Sequence, residues 1–73
     1  MRIKVRPVGV IRKFAEEHEL ETDEGLTPEG LIRALDIPRK LKMVSFVNGK
    51  RVALKHALKD GDEVILATLL SGG

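Results

Sequence analysis

The 73-residue chain has no cysteine, no tryptophan and no tyrosine, and only two phenylalanines and two histidines. Without cysteine, neither a disulfide nor a thiolate metal site can supplement the core. Two histidines are too few for a His-rich metal cluster. The scarcity of aromatic rings argues against nucleic acid as a partner, because single strands are gripped by stacking bases on such rings. No apolar run is long enough to span a bilayer, and the basic opening MRIKVR has no apolar segment behind it. A soluble, cytoplasmic protein with no membrane partner is therefore expected. A single domain of this size must draw its stability from well-patterned aliphatics, since ordering costs roughly 1.5 kcal/mol per residue.

What the chain does have is charge, and it is unevenly placed. The net charge of +2 conceals two blocks. Glu16, Glu17, Glu19, Glu21, Asp23, Glu24 and Glu29 share a segment without Lys or Arg, while Arg39, Lys40, Lys42, Lys50, Arg51, Lys55 and Lys59 share one without Asp or Glu. Such halves either steer a charged partner or form the solvated faces of a two-toned surface.

RIKVRP alternates strictly, with Ile3 and Val5 on one face and Arg2, Lys4 and Arg6 on the other, which predicts a strand with one buried face. Pro7 and Gly9 should end or bend it. Val10, Ile11 and Phe14 are expected to anchor a turn or loop under the domain. EHELET alternates again and predicts a second strand, antiparallel to the first, with an acidic exposed edge. TPEGLIRALDIP predicts a helix of about nine residues: Thr27 as N-cap, Pro28 at the first position, Leu31, Ile32 and Leu35 as an apolar stripe, and Pro38 as the stop. So short a helix must lie against a sheet.

MVSFVNGKRV carries the clearest local signal. Asn48-Gly49 between extended residues predicts a two-residue hairpin joining strands at Met43–Val47 and Arg51–Ala53. LKDGDEVILATLL then gives an Asp60-Gly61 turn and a last strand, with Val64 and Leu66 facing one way and Ile65 and Ala67 the other. A run apolar on both faces predicts a central strand, paired parallel to the first with the helix in the crossover. The fold class is α+β: a mixed sheet of four to five strands with one short helix packed on one face.

No catalytic constellation is legible. His18 and His56 read as solvated polar residues. Asp60, Asp62 and Glu63 could form a carboxylate cluster, but Asp-Gly builds a corner and the other two are expected to lie exposed beside it, so no metal site is expected. That leaves LATLLSGG. A terminal carboxylate is ionised at neutral pH, with a reference pKa of about 3.5, and is a poor electrophile until activated. Gly72 and Gly73 lack Cβ and can thread a narrow channel. Extended, Leu70 to Gly73 reach on the order of 13 Å.

VNG at Val47–Gly49, LKDGDEV from Leu58 to Val64 and SGG as its closing residues, at these separations, resemble the ubiquitin-like β-grasp sulfur carriers of the MoaD/ThiS family. FAEE and the longer segment between the first two strands lean towards the small subunit of molybdopterin synthase. ATLL stands where carriers of that type often have prolines. The resemblance implies a carrier protein rather than an enzyme, with a β-grasp domain over 1–69 and a flexible tail over 70–73. It implies that an E1-like adenylyltransferase activates Gly73 with ATP and Mg²⁺, the carrier itself binding no cofactor. A sulfurtransferase or other persulfide donor then supplies sulfur, and a synthase large subunit receives the resulting thiocarboxylate. Gly72, Ser71 and Leu70 become the threaded segment and Leu69 a partner contact, or else the end of a core strand. Molybdopterin is favoured over thiamine thiazole as the destination. Two alternatives stay open: a ubiquitin-like modifier conjugated through Gly73, and a β-grasp interaction module.

Overall fold

The computed structural model describes residues 1–38 and 40–69. Five strands, β1 (Arg2–Pro7), β2 (His18–Glu21), β3 (Met43–Val47), β4 (Lys50–Val52) and β5 (Glu63–Thr68), and one helix, α1 (Pro28–Ala34), follow in the order expected. The sheet order is β2-β1-β5-β3-β4. β5 is central, parallel to β1 and antiparallel to β3, while the β1–β2 and β3–β4 pairs are antiparallel. With α1 on one face, this is the ubiquitin-like β-grasp arrangement. Among the described residues no helix is long and apolar enough to cross a membrane.

Period-two alternation sets which side chains form the core. Ile3, Val5 and Pro7 of β1, Val64 and Leu66 of β5, and Ser45 and Val47 of β3 are buried on the helix side, where they meet Leu31 and Ile32 of α1. Ile37 and Leu58 close the ends of this layer. Buried Ser45 donates its hydroxyl to the Val52 carbonyl at 3.2 Å, so its polar atom is satisfied.

β1 ends at Pro7, as expected, yet Pro7 is buried and still sits in the ladder opposite Leu66 of β5. The ladder explains why. The N–H groups of Lys4 and Val8 point to the β5 side, onto the Asp62 and Leu66 carbonyls, so those of the odd residues face β2, and β2 stops opposite Val5. Pro7 thus lacks an N–H where no ladder needs one. The segment after it forms a 3-10 turn over Gly9–Lys13 in which only Ile11 is buried; Val10 and Phe14 are exposed, against the expectation that all three would anchor it. One turn of so tight a helix directs a single side chain inward.

The helix starts as expected and stops early. Thr27 accepts the Gly30 N–H on its hydroxyl at 3.1 Å, a cap worth about 1 kcal/mol. The end comes at Leu35, with Asp36 in the left-handed region at φ 57°. The Asp36 N–H donates to the Arg33 carbonyl at 3.1 Å and the Ile37 N–H to the Ile32 carbonyl at 3.2 Å. This pair of bonds is a Schellman closure, with buried Ile37 and Ile32 as its apolar contact. Pro38 follows a stop already made.

Candidate functional site

The geometry of interest follows β5 from its tied end to its open one. At the start, the Asp62 N–H donates to the Lys59 carbonyl at 3.1 Å and closes the turn, with Gly61 at φ 88° in the position that favours glycine. Asp62 is only 8% exposed, contrary to the expectation of an exposed carboxylate. It accepts the Lys59 N–H at 2.8 Å and the Asn48 side-chain amide at 3.0 Å, while the Asn48 carbonyl oxygen accepts the Glu63 N–H at 3.0 Å. Asn48 is held at φ 51° in the hairpin turn, beside Gly49 at φ 85°. VNG and DGDEV, two motifs in sequence, are therefore one hydrogen-bonded clamp.

The remaining carboxylates of the suspected cluster are also engaged. Asp60 accepts the Arg2 N–H at 2.7 Å, and Glu63 lies 3.9 Å from the Lys4 ammonium and 3.8 Å from the Arg6 guanidinium. Among the described residues no three His, Cys, Asp or Glu side chains gather as metal ligands do. His56 is exposed. His18 is half-buried, with its Nδ1 2.6 Å from the Glu16 carbonyl oxygen.

At the other end, the Leu69 N–H donates to the Lys42 carbonyl at 2.8 Å, and the Leu69 side chain is 51% exposed. Its surface therefore faces water and not the core. Leu70, Ser71, Gly72 and Gly73, where the thread and the activated carboxylate are expected, lie outside the described residues.

The helix-free face of the sheet adds residues that sequence reasoning did not single out. Val44 lies opposite Ala67 and Phe46 opposite Ile65, and all four are half-buried on the side away from α1. The column Ile65, Ala67, Leu69 thus carries an apolar strip along the solvent face to one residue past the end of β5. Its border on the β1 side is a ladder of charge: Glu17 with Lys4 at 3.6 Å and with Arg6 at 3.4 Å, then both cations with Glu63. Arg51, opposite Phe46, borders the other side. Half-exposed ion pairs of this kind are worth about 0–1 kcal/mol each; their effect is to frame the strip with polar groups. The signal was present in sequence, since Val44 and Phe46 lie out of phase with Ser45 and Val47, but a doubly apolar run was read only as a mark of a central strand.

The surface depression beside the β1 terminus encloses about 470 Å³ and is lined by Arg6 and Arg12 but also by Glu16 and Glu17. Two carboxylates against two guanidiniums make a poor cradle for an anion.

A model of the ThiS family matches residues 5–73. No curated protein matches the chain. Among solved structures, SAMP1 from Haloferax volcanii superposes with a TM-score of 0.75 at 18% identity over 100% of both chains. Molybdopterin converting factor subunit 1 from Pyrococcus furiosus gives 0.73 at 24% identity, over 94% of this chain and 98% of that one. The complex of subunits 1 and 2 of the molybdopterin-converting factor from Helicobacter pylori 26695 gives 0.66 at 24% identity over 100% of both chains. Identities this low speak for the fold, and the family model speaks for descent. The chain belongs to the ThiS family, and so to the small ubiquitin-like carrier proteins and not to the enzymes.

Proposed function

We propose that this chain is a sulfur carrier whose Gly73 carboxyl is adenylated, converted to a thiocarboxylate and presented to a synthase. The observation that carries the proposal is the half-exposed Leu69 at the end of the central strand, with the apolar strip of Ile65, Ala67, Val44 and Phe46 behind it. A partner that takes residues 70–73 into a channel has this strip as its landing surface, so docking and threading become one event. The rigid body supplies position and the partner supplies chemistry.

The chemistry divides among partners. An E1-like adenylyltransferase uses ATP and Mg²⁺ to turn the carboxylate into an acyl adenylate, releasing pyrophosphate. A persulfide sulfur from a sulfurtransferase attacks the acyl carbon and AMP leaves; a thiol then cleaves the S–S bond and frees the thiocarboxylate. The synthase large subunit docks on the strip while the sulfur is donated. Subunit 2 beside subunit 1 in the Helicobacter pylori complex is the kind of partner meant. Molybdopterin is our assigned destination ahead of thiamine thiazole, from FAEE and the long segment between β1 and β2, and transfer to each synthase in turn decides between them.

The test is the intact mass of the chain after incubation with an adenylyltransferase, ATP, Mg²⁺ and a persulfide donor. Exchange of one oxygen for sulfur is expected, and it should vanish when Gly73 is removed. An unchanged mass with Gly73 in place, in a mixture that charges a known carrier, would overturn the proposal. The likeness to a small archaeal modifier protein of Haloferax volcanii favours a second reading, in which Gly73 forms isopeptide bonds with lysines. Ladders of conjugates in cells, absent for the chain lacking Gly73, would support it.

A further inference from the structure

The two edges of the sheet carry opposite charge. β2 closes one edge with Glu19 and Glu21, preceded by Glu16 and Glu17 and followed by Asp23 and Glu24. β4 closes the other with Lys50 and Arg51. Every ion pair among the described residues draws its cation from Arg2, Lys4, Arg6 or Arg33. Lys42, Lys50, Arg51, Lys55 and Lys59 form none, so the basic edge is uncompensated among the described residues.

Backbone geometry matches the charge. Met1 and Thr22 exchange both hydrogen bonds, which sets the alternation along β2: Leu20 and His18 bond inward to β1, and Glu19 and Glu21 turn their backbone groups outward. Across the two-residue turn Val47 and Lys50 form the bonded pair, so Arg51 turns its N–H and C=O outward from β4. Side chains agree as well. Glu19 and Glu21 lie opposite Lys4 and Arg2, and Arg51 opposite Phe46, all on the face away from α1. Following the pairings across the sheet, β4 runs with β1 and against β2. Two copies set side by side, facing the same way, therefore bring β4 of one against β2 of the next in antiparallel sense.

We infer that the chain associates with itself head to tail by this edge pairing, the Arg51 backbone bonded to Glu19 or Glu21 of the next copy with guanidinium and carboxylate on one face. Charged edge residues ordinarily forbid pairing. Here they forbid only like with like, since two β2 edges or two β4 edges repel. The contact joins different surfaces, so it does not close, and it yields open oligomers instead of a symmetric dimer. β4 is three residues long, and an interface so small falls below the roughly 1,000 Å² of stable complexes. A dissociation constant on the order of 1 mM is expected, tightening as salt is lowered. The sheet extends sideways in this assembly, so the apolar strip stays uncovered, and the inference stands or falls independently of the carrier function.

Sedimentation equilibrium of the whole chain tests it, at concentrations up to about 2 mM, first at low salt and then at about 0.5 M salt. The weight-average mass should climb above the 8.1 kDa of one chain at low salt and return to it at high salt. Lys50→Glu/Arg51→Glu and Glu19→Lys/Glu21→Lys variants should each stay monomeric alone and associate when mixed. Should a variant fail to fold, amide NMR of the parent chain decides the matter through concentration-dependent shifts at residues 19, 21 and 51. A mass that stays at one chain across the low-salt series, association of either reversed variant alone, or shifts confined to other surfaces overturns the inference.

Discussion

The two ends of β5 are built differently. At its start, Asp62 and Asn48 exchange side-chain and backbone hydrogen bonds with Lys59 and Glu63, the Lys4 N–H reaches the Asp62 carbonyl at 2.9 Å, and the Gly61 N–H reaches the Arg2 carbonyl at 2.8 Å. At its finish, among the described residues, one backbone bond to Lys42 holds Leu69, whose side chain is half exposed. A strand fixed at one end and lightly held at the other behaves as a bracket, with its stability concentrated where no partner needs to touch it.

Four substitutions would break or sharpen that contrast. The largest effect is expected midway, at fully buried Leu66: Leu66→Ala should cost about 2–5 kcal/mol in urea unfolding, by leaving a cavity between sheet and helix. Asp62→Ala comes next, at about 1–3 kcal/mol, because the Lys59 N–H and the Asn48 amide lose their acceptor in a partly buried place. Equal stability of Asp62→Ala and the parent would show that the tied end is not tied by this carboxylate. Asp36→Gly should raise stability by about 1 kcal/mol, since it relieves a left-handed conformation that costs a non-glycine residue that much; the gain belongs to the body and should leave sulfur loading unchanged. Leu69→Ser should alter unfolding by no more than about 0.5 kcal/mol yet reduce thiocarboxylate transfer to a synthase, measured by intact mass over time. A large loss of stability there, with transfer intact, would reverse the assignment of the two ends.

Most of the architecture was legible because each strand announces its buried face by alternation. Ile3 and Val5, or Val64 and Leu66, need no tertiary information to be placed on one side. Asn48-Gly49 and Thr27-Pro28 are equally local signals. What escaped reading depended on partners distant in sequence. Asp62 looks like a surface acid until Asn48 arrives from another hairpin. The helix stop was assigned to Pro38 because its true closure uses Asp36 in place of the usual glycine. Hydrophobicity alone places Val10 and Phe14 inside, where the structure does not, and that Pro7 ends β1 from within the ladder depends on the extent of β2, which is not a property of Pro7's neighbourhood. The strip at Val44, Phe46, Ile65 and Ala67 was half-read: the run was recognised as apolar on both faces, but a surface emerges only when β3 and β5 are set side by side.

The central place of β5 has a consequence for synthesis. It is the last of the five described strands in chain order, and it lies between β1 and β3. Until the ribosome has released it, the chain holds only two separate hairpins, and a lone hairpin is marginal in water. Without Glu63–Thr68 the two hairpins have nothing to join them into one sheet, so the whole fold depends on β5 being present.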